Sequence, residues 1–278
     1  MYRISIPILL FASTTLNAQE LPQPSPKGEV EQVVGLTKIE VEYSRPSVKG
    51  RSIFGDLVPY GSVWRTGANK CTTFENDGPV MIEGQELPAG KYSLFTMPTP
   101  DAWMIIFNRN TELWGEGDRK EEEDVLKVKV APQAADFTET FTIEFQNVIG
   151  DVARLDLRWE KTRASVNIKT NSTDKALANI KEALAKPDAD FRAYASSARF
   201  CVDRGVMTKE ALAWAQKSVE MDKKFWNIHT LALAQAANGM TKEAISTAQM
   251  SMKLAEEAKN EAYMKMNRER IAEWSGKK

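Results

Sequence analysis

Residues 43–69, YSRPSVKGRSIFGDLVPYGSVWRTGAN, hold the densest set of chemically capable side chains in the sequence. Arg45, Lys49, Arg51 and Arg65 stand there, with Lys70 just beyond, against a single carboxylate, Asp56. Tyr43, Phe54, Tyr60 and Trp64 are interleaved with them. Such a set can grip an anion. A guanidinium is a planar fork that holds carboxylate, sulfate or phosphate in two places, and Tyr60 or Trp64 offers a wall for a ring. Forked donors beside a stacking wall also suit an acidic sugar. Asn69, Asn108 and Trp114 complete this candidate ligand site. Trp114 lies in a Gly-rich stretch, WGEGD, and shares with Trp64 the role of candidate exposed platform; Trp103 and Trp159 fall on strand patterns that mark them as core. The competing structural reading is that each arginine pairs with a nearby carboxylate and lays its stem over a ring. Closeness in sequence does not choose between the two.

Other chemistries are bounded by what is scarce. The one histidine, His229, lies on a helical pattern far from this segment and is expected on a helix surface or groove. A Ser-His-Asp triad or Cys-His pair within the first 170 residues is thereby excluded. Two cysteines, Cys71 and Cys201, give no disulfide framework or Cys/His zinc set, and two buried free thiols are the simpler expectation. Residues 118–124, DRKEEED, lack the alternating oxygens and central glycine of a calcium loop and read as a solvated charged loop. No phosphate-binding glycine loop occurs, and no cofactor or metal is implied. Lys and Arg number 37 against 38 Asp and Glu, a balance that argues against a nucleic-acid binder. Carboxylates are abundant, so a pair placed for glycoside hydrolysis stays open.

The elements that must position these residues fall into two grammars. Eleven of the 12 prolines and 12 of the 15 glycines precede residue 171, whereas 21 alanines follow it against 10 before. That shift from turn-formers to a helix-former marks a boundary near residues 170–173. Before it, alternation at residues 38–43, 127–130, 140–145, 154–159 and 165–168 predicts short strands, and residues 91–95 and 103–107 predict more apolar ones. Nine or ten short strands without a crossover helix predict an all-β antiparallel sandwich over 29–170, with a closed barrel as the alternative.

After the boundary, residues 171–278 read as an all-α, tetratricopeptide-like helical repeat. The stretch TKEALAWAQKSV from Thr208 aligns on TKEAISTAQMSM from Thr241, 33 residues on, and Thr173 opens a fainter copy. The threonines are expected to cap their helices, with Gly205 and Gly239 supplying positive φ just before two of them. A plain helical bundle is the alternative. At the other end, residues 1–18 have the cationic start, short apolar run and small-residue cleavage site of a signal peptide, and 19–28 form a Pro-rich leader. The apolar run is too short to span a bilayer, so a periplasmic or secreted, not membrane-spanning, protein is expected.

Four further motifs follow the Tyr43–Arg51 stretch in order: Val58-Pro-Tyr-Gly-Ser-Val-Trp-Arg-Thr-Gly-Ala-Asn69, Leu87-Pro-Ala-Gly-Lys-Tyr-Ser-Leu-Phe95, Trp103-Met-Ile-Ile-Phe-Asn108 and Trp114-Gly. With them, residues 26–169 resemble a bacterial family of exported proteins classed as a domain of unknown function. Lys70-Cys71 departs from the acidic or small residues that the resemblance leads one to expect there. The resemblance implies an exported domain, often followed by helices, and assigns no activity, substrate or catalytic residue. The leading reading is a non-enzymatic binding module for a small anionic or carbohydrate-like ligand, with a helical tail for a protein partner. A carboxylate-based glycan hydrolase and an envelope scaffold are the alternatives.

Overall fold

The computed structural model describes residues 21–276; the signal-peptide reading of residues 1–18 lies outside the described residues. The chain divides into two compact units between Thr170 and Asn171. Two antiparallel sheets build the first. One runs β1 (Lys27–Val34), β2 (Thr37–Ser44), β3 (Thr72–Asn76), β6 (Gly90–Pro98), β7 (Trp103–Asn108), β8 (Asp124–Val130) in that spatial order. The other runs β5 (Gln85–Leu87), β4 (Val80–Ile82), β10 (Val152–Lys169), β9 (Gln133–Ile149).

Period-two patterning sets the core. Along β2, Thr37, Ile39, Val41 and Tyr43 are buried while their neighbours are not. Val41, Phe74, Leu94 and Ile105 of the first sheet share one core with Phe141 and Leu157 of the second. Each such side chain contributes about 1.5–3 kcal/mol when fully buried. Strand β7 is covered on both faces, as its unbroken apolar run predicts. Trp103, Ile105 and Phe107 enter the main core, and Ile106 joins Cys71, Phe95 and Leu113 in a small second core. Both cysteines are buried and free.

The strands are not all short. The stretches 154–159 and 165–168 belong to one strand, β10, of 18 residues. Its buried positions are odd at Leu155, Leu157 and Trp159, then even at Ala164, Val166 and Ile168. Between them Glu160 has φ 54, and the register with β9 shifts on either side of it. A bulge of this kind inserts a residue and flips the alternation. In sequence that flip looks like a strand end.

The second unit contains α1 (Thr173–Leu184), α2 (Phe191–Arg204), α3 (Thr208–Met221), α4 (Phe225–Ala237), α5 (Thr241–Glu257) and α6 (Glu261–Trp274). Successive helices pack together, and α4 also meets α2 and α6. The 33-residue echo has a physical counterpart. Ala211 and Ala244, then Ala215 and Ala248, are fully buried. Ser218 Oγ donates to the Phe191 carbonyl at 2.7 Å, and Ser251 Oγ donates to that of Phe225 at 2.6 Å. The threonines do not cap. Thr173, Thr208 and Thr241 are the first helical residues, and the residues before them make no side-chain cap bond. Side-chain caps come instead from Asp190 at α2 and Asn260 at α6. Gly205 (φ 65) and Gly239 (φ 78) take the left-handed turns expected of them. Among the described residues no helix is long and apolar enough to cross a membrane.

His229 is not on a surface. It is 2% exposed, because α4 is the central helix and is buried almost all round, from Asn227 to Gln235. Its Nδ1 lies 2.7 Å from Asn267 Oδ1, and the Asn267 amide nitrogen is spent on Ser251 Oγ and the Tyr263 carbonyl. Nδ1 therefore carries the proton in that bond. Burial lowers the imidazole pKa below its ordinary value; the Asn267 bond opposes this, and Arg199 and Arg270 reinforce it. The folded state favours the neutral ring. Its stabilisation is complete above the unfolded value of about 6.5 and is lost as pH falls through the lowered folded value. The denaturation midpoint of the helical unit is expected to drop as pH falls below about 6.5. His229→Gln should remove that acid slope, and an unchanged slope in the variant would assign it to another group.

Candidate functional site

Residues 45–65 form a strap from one sheet to the other. At its start, Phe141 N donates to the Pro46 carbonyl and Val48 N to the Glu139 carbonyl, both at 2.8 Å, so this end is pinned to β9. At its far end Trp64 exchanges two backbone bonds with Thr96 of β6, at 2.7 and 2.9 Å. The cations serve this crossing. Arg45 lies over the Tyr43 ring and donates to the Phe141 carbonyl at 3.2 Å and Thr142 Oγ1 at 2.9 Å. Arg51 donates to the carbonyls of Val48 (3.0 Å) and Ser47 (2.6 Å). Lys49 sits in the turn at φ 49 with its backbone N–H on Glu139 Oε1. Arg65 holds the carbonyls of Asn69 (3.1 Å) and Trp114 (2.5 Å) and pairs with Glu116 at 3.3 Å. The three arginines spend most of these bonds on backbone carbonyls at separate places along the chain and stitch those segments together.

Two expected ligand contacts are internal. Trp64 is 9% exposed, stacks on Trp159 at 5.6 Å between centroids, and donates its indole N–H to the Gly67 carbonyl at 3.0 Å. Gly67 has φ 156, and a Cβ there would stand 2.9 Å from the Ser44 carbonyl, so the turn that receives the indole requires glycine. Asn108 is fully buried. It donates both amide hydrogens, to the Lys120 carbonyl (3.0 Å) and Asp124 Oδ1 (2.8 Å), and accepts from Asn110 N (3.0 Å), so its polar atoms are engaged within the domain. Asp124 closes the stretch expected to be a solvated loop, yet it is buried under Arg119, Lys127 and Asn108. It clamps residues 109–123 over the outer face of the first sheet.

Asn69 and Trp114 do come together. They line a trough of about 450 Å³ on that outer face. Trp114 is 69% exposed. Asn69 has φ 58, and its amide donates to Ser44 Oγ at 3.2 Å and the Ser25 carbonyl at 3.3 Å. Lys27, Lys70 and Lys91 line the same trough, with Glu42 and Glu112. Of the three lysines only Lys70 stands near the motif segment. The others sit at outward positions of β1 and β6, where alternation marks them as polar but strand order was needed to bring them together. Each of these lysines has a carboxylate partner, Lys91 pairing with Glu75 at 3.3 Å as well. Glu42 contacts Lys27 at 2.5 Å and Lys91 at 3.7 Å, and Lys70 contacts Glu112 at 3.0 Å. The bond from Lys27 holds the Glu42 carboxyl below its ordinary range, and the bond from Lys70 does the same for Glu112. A general acid needs the opposite shift, so these carboxylates suit hydrogen bonding rather than protonation of a leaving group. Tyr60, 46% exposed, lines a separate cavity.

Residues 25–168, a span that takes in the strap, the trough and both sheets, match the family described as protein of unknown function (DUF2911). The chain belongs to that family. No curated protein matches the sequence. The motifs quoted from Tyr43 to Trp114 fall inside the DUF2911 domain, and Trp114, the one expected platform that is exposed, lies on its clamped loop.

Proposed function

We propose that the protein is an exported, periplasmic or secreted, binding protein whose DUF2911 domain holds a small carbohydrate-like ligand in the trough beside Trp114. The observation that carries this reading is an exposed indole standing over a polar floor in which every cation has a carboxylate partner. Paired charges present donors and acceptors in alternation, which fits hydroxyls better than a bare anion. The ring face of a sugar packs on an indole. The helical unit is the part proposed to meet a protein partner. An apolar groove of about 560 Å³ between α1 and α3, walled by Leu177, Ile180, Leu184 and Trp214, supports that role.

The test is a thermal-shift and calorimetric screen of the mature chain against neutral sugars, sugar acids and glycan fragments, repeated on Trp114→Ala. Because Trp114 is exposed, the variant should melt as the parent does. Loss of the stacking face, about 1.5 kcal/mol, should weaken sugar binding roughly tenfold. Equal affinity in parent and variant, or no sugar bound by either, removes the proposal.

A further inference from the structure

The second cavity, of about 230 Å³, has a different character from the trough. Its walls are rings: Phe54, Tyr60 and Trp103, with Pro100 and Pro132 beside them. Phe54 packs on Trp103 at 4.9 Å and on Trp159 behind it at 6.2 Å, so the walls continue into the aromatic core. The volume falls below the roughly 300–1,000 Å³ of drug-sized sites, which limits an occupant to about one ring.

Beside the hydroxyls of Tyr60 and Thr162, the cavity is lined by a cation and an amide that are free to donate. Lys161 lines the cavity and, among the described residues, has no ion-pair partner. Gln133 lines it too, and its Oε1 is taken by the Arg163 guanidinium. The carboxamide is thereby turned with its NH2 left to donate. Among the described residues Arg163 pairs with no carboxylate, and its Nε is buried without an acceptor. The Thr99 hydroxyl, which also lines the cavity, is spent on Ala102, accepting from its N–H and donating to its carbonyl. Apolar faces with unpaired donors select a ligand that has a flat apolar body and an anionic end.

We propose that this cavity is a second binding site, for a small aromatic or cyclic carboxylate. The ring lies among Phe54, Tyr60 and Trp103, and the carboxylate meets the Lys161 ammonium and the Gln133 amide. The site is independent of the trough: it shares no lining residue with it.

The test uses the full mature chain with benzoate as probe and benzyl alcohol as its neutral counterpart, read by saturation-transfer NMR and calorimetry. Benzoate should bind saturably, and benzyl alcohol at least about tenfold more weakly, since a charge-assisted bond is lost. Lys161→Gln, at an exposed position, should weaken benzoate about tenfold or more and leave the melting curve in place. Trp114→Ala should leave benzoate binding unchanged, whatever it does to sugars. Absence of saturable benzoate binding overturns the proposal. So does equal affinity of parent and Lys161→Gln, or loss of benzoate in Trp114→Ala, which would move the anion to the trough.

Discussion

Replacing Trp64 by alanine is expected to destabilise the β domain by about 3–5 kcal/mol, the range for truncating a large aromatic in a core. The size of the effect follows from what the ring touches. It stacks on Trp159, meets Phe141 edge-on at 5.1 Å and Phe54 at 6.3 Å, and its N–H closes the Gly67 turn. Removing it empties the place where the strap crosses between the sheets. Two units unfold in this chain, so a single midpoint is not the right observable. Near-UV circular dichroism should show the aromatic transition moving to lower denaturant, while the far-UV helical transition stays put. A loss below about 1 kcal/mol would mean that Trp64 is not a core residue and would reopen its role as a platform.

The second large effect is at Asp124. Its carboxylate, 3% exposed, receives Asn108 at 2.8 Å, Lys127 at 3.0 Å and the Arg119 guanidinium. Asp124→Ala leaves Arg119 facing the Phe95 ring without its counter-ion, and Asn108 buried with an amide hydrogen unpaired. Breaking a buried pair from one side costs about 3–5 kcal/mol. Part of that cost should appear locally, as release of residues 109–123. Cys71 reports on the release. It lies in the small core under this segment, with its Sγ 3.6 Å from the Gly115 carbonyl, and burial pushes its thiol up to about 11. In the parent it should therefore label slowly at neutral pH. Faster labelling of Cys71 in Asp124→Ala, with Cys201 unchanged, is the expected result. Unchanged labelling and unchanged stability together would refute the clamp.

The division into a sheet unit and a helical unit was legible in composition, since proline and glycine interrupt helices and alanine favours them. The repeat was legible because buried small residues recur where helices approach. The meaning of residues 43–69 was not. Cations and rings crowd there because the segment leaves β2, borrows bonds from β9 and ends on β6, and each crossing needs donors for stray carbonyls. Those partners, Phe141, Thr142 and Trp114, lie tens of residues away, so nothing local told a strap from a ligand site. The trough was half visible. Asn69 and Trp114 stood out, whereas Lys27 and Lys91 read as ordinary outward strand positions until the pairing of β1, β2, β3 and β6 was known. His229 was misplaced for a related reason: helix α4 is buried almost all round, and its surroundings come from four other helices.

The strap also sets a tempo. The Tyr43 hydroxyl is bonded to the backbone of Ile143, the Ser47 hydroxyl to the hydroxyl of Thr140, and Trp64 stacks on Trp159, so closing the sheets around the strap requires contacts that span 93 to 100 residues.

 Loop closure over such distances is slow compared with the local contacts of helices. The helical unit can therefore assemble early from neighbouring turns, while the β domain stays open until β10 arrives. Throughout that interval the rings of the strap are exposed, which makes the unfinished β domain, rather than the repeat, the aggregation-prone stage of this protein's folding.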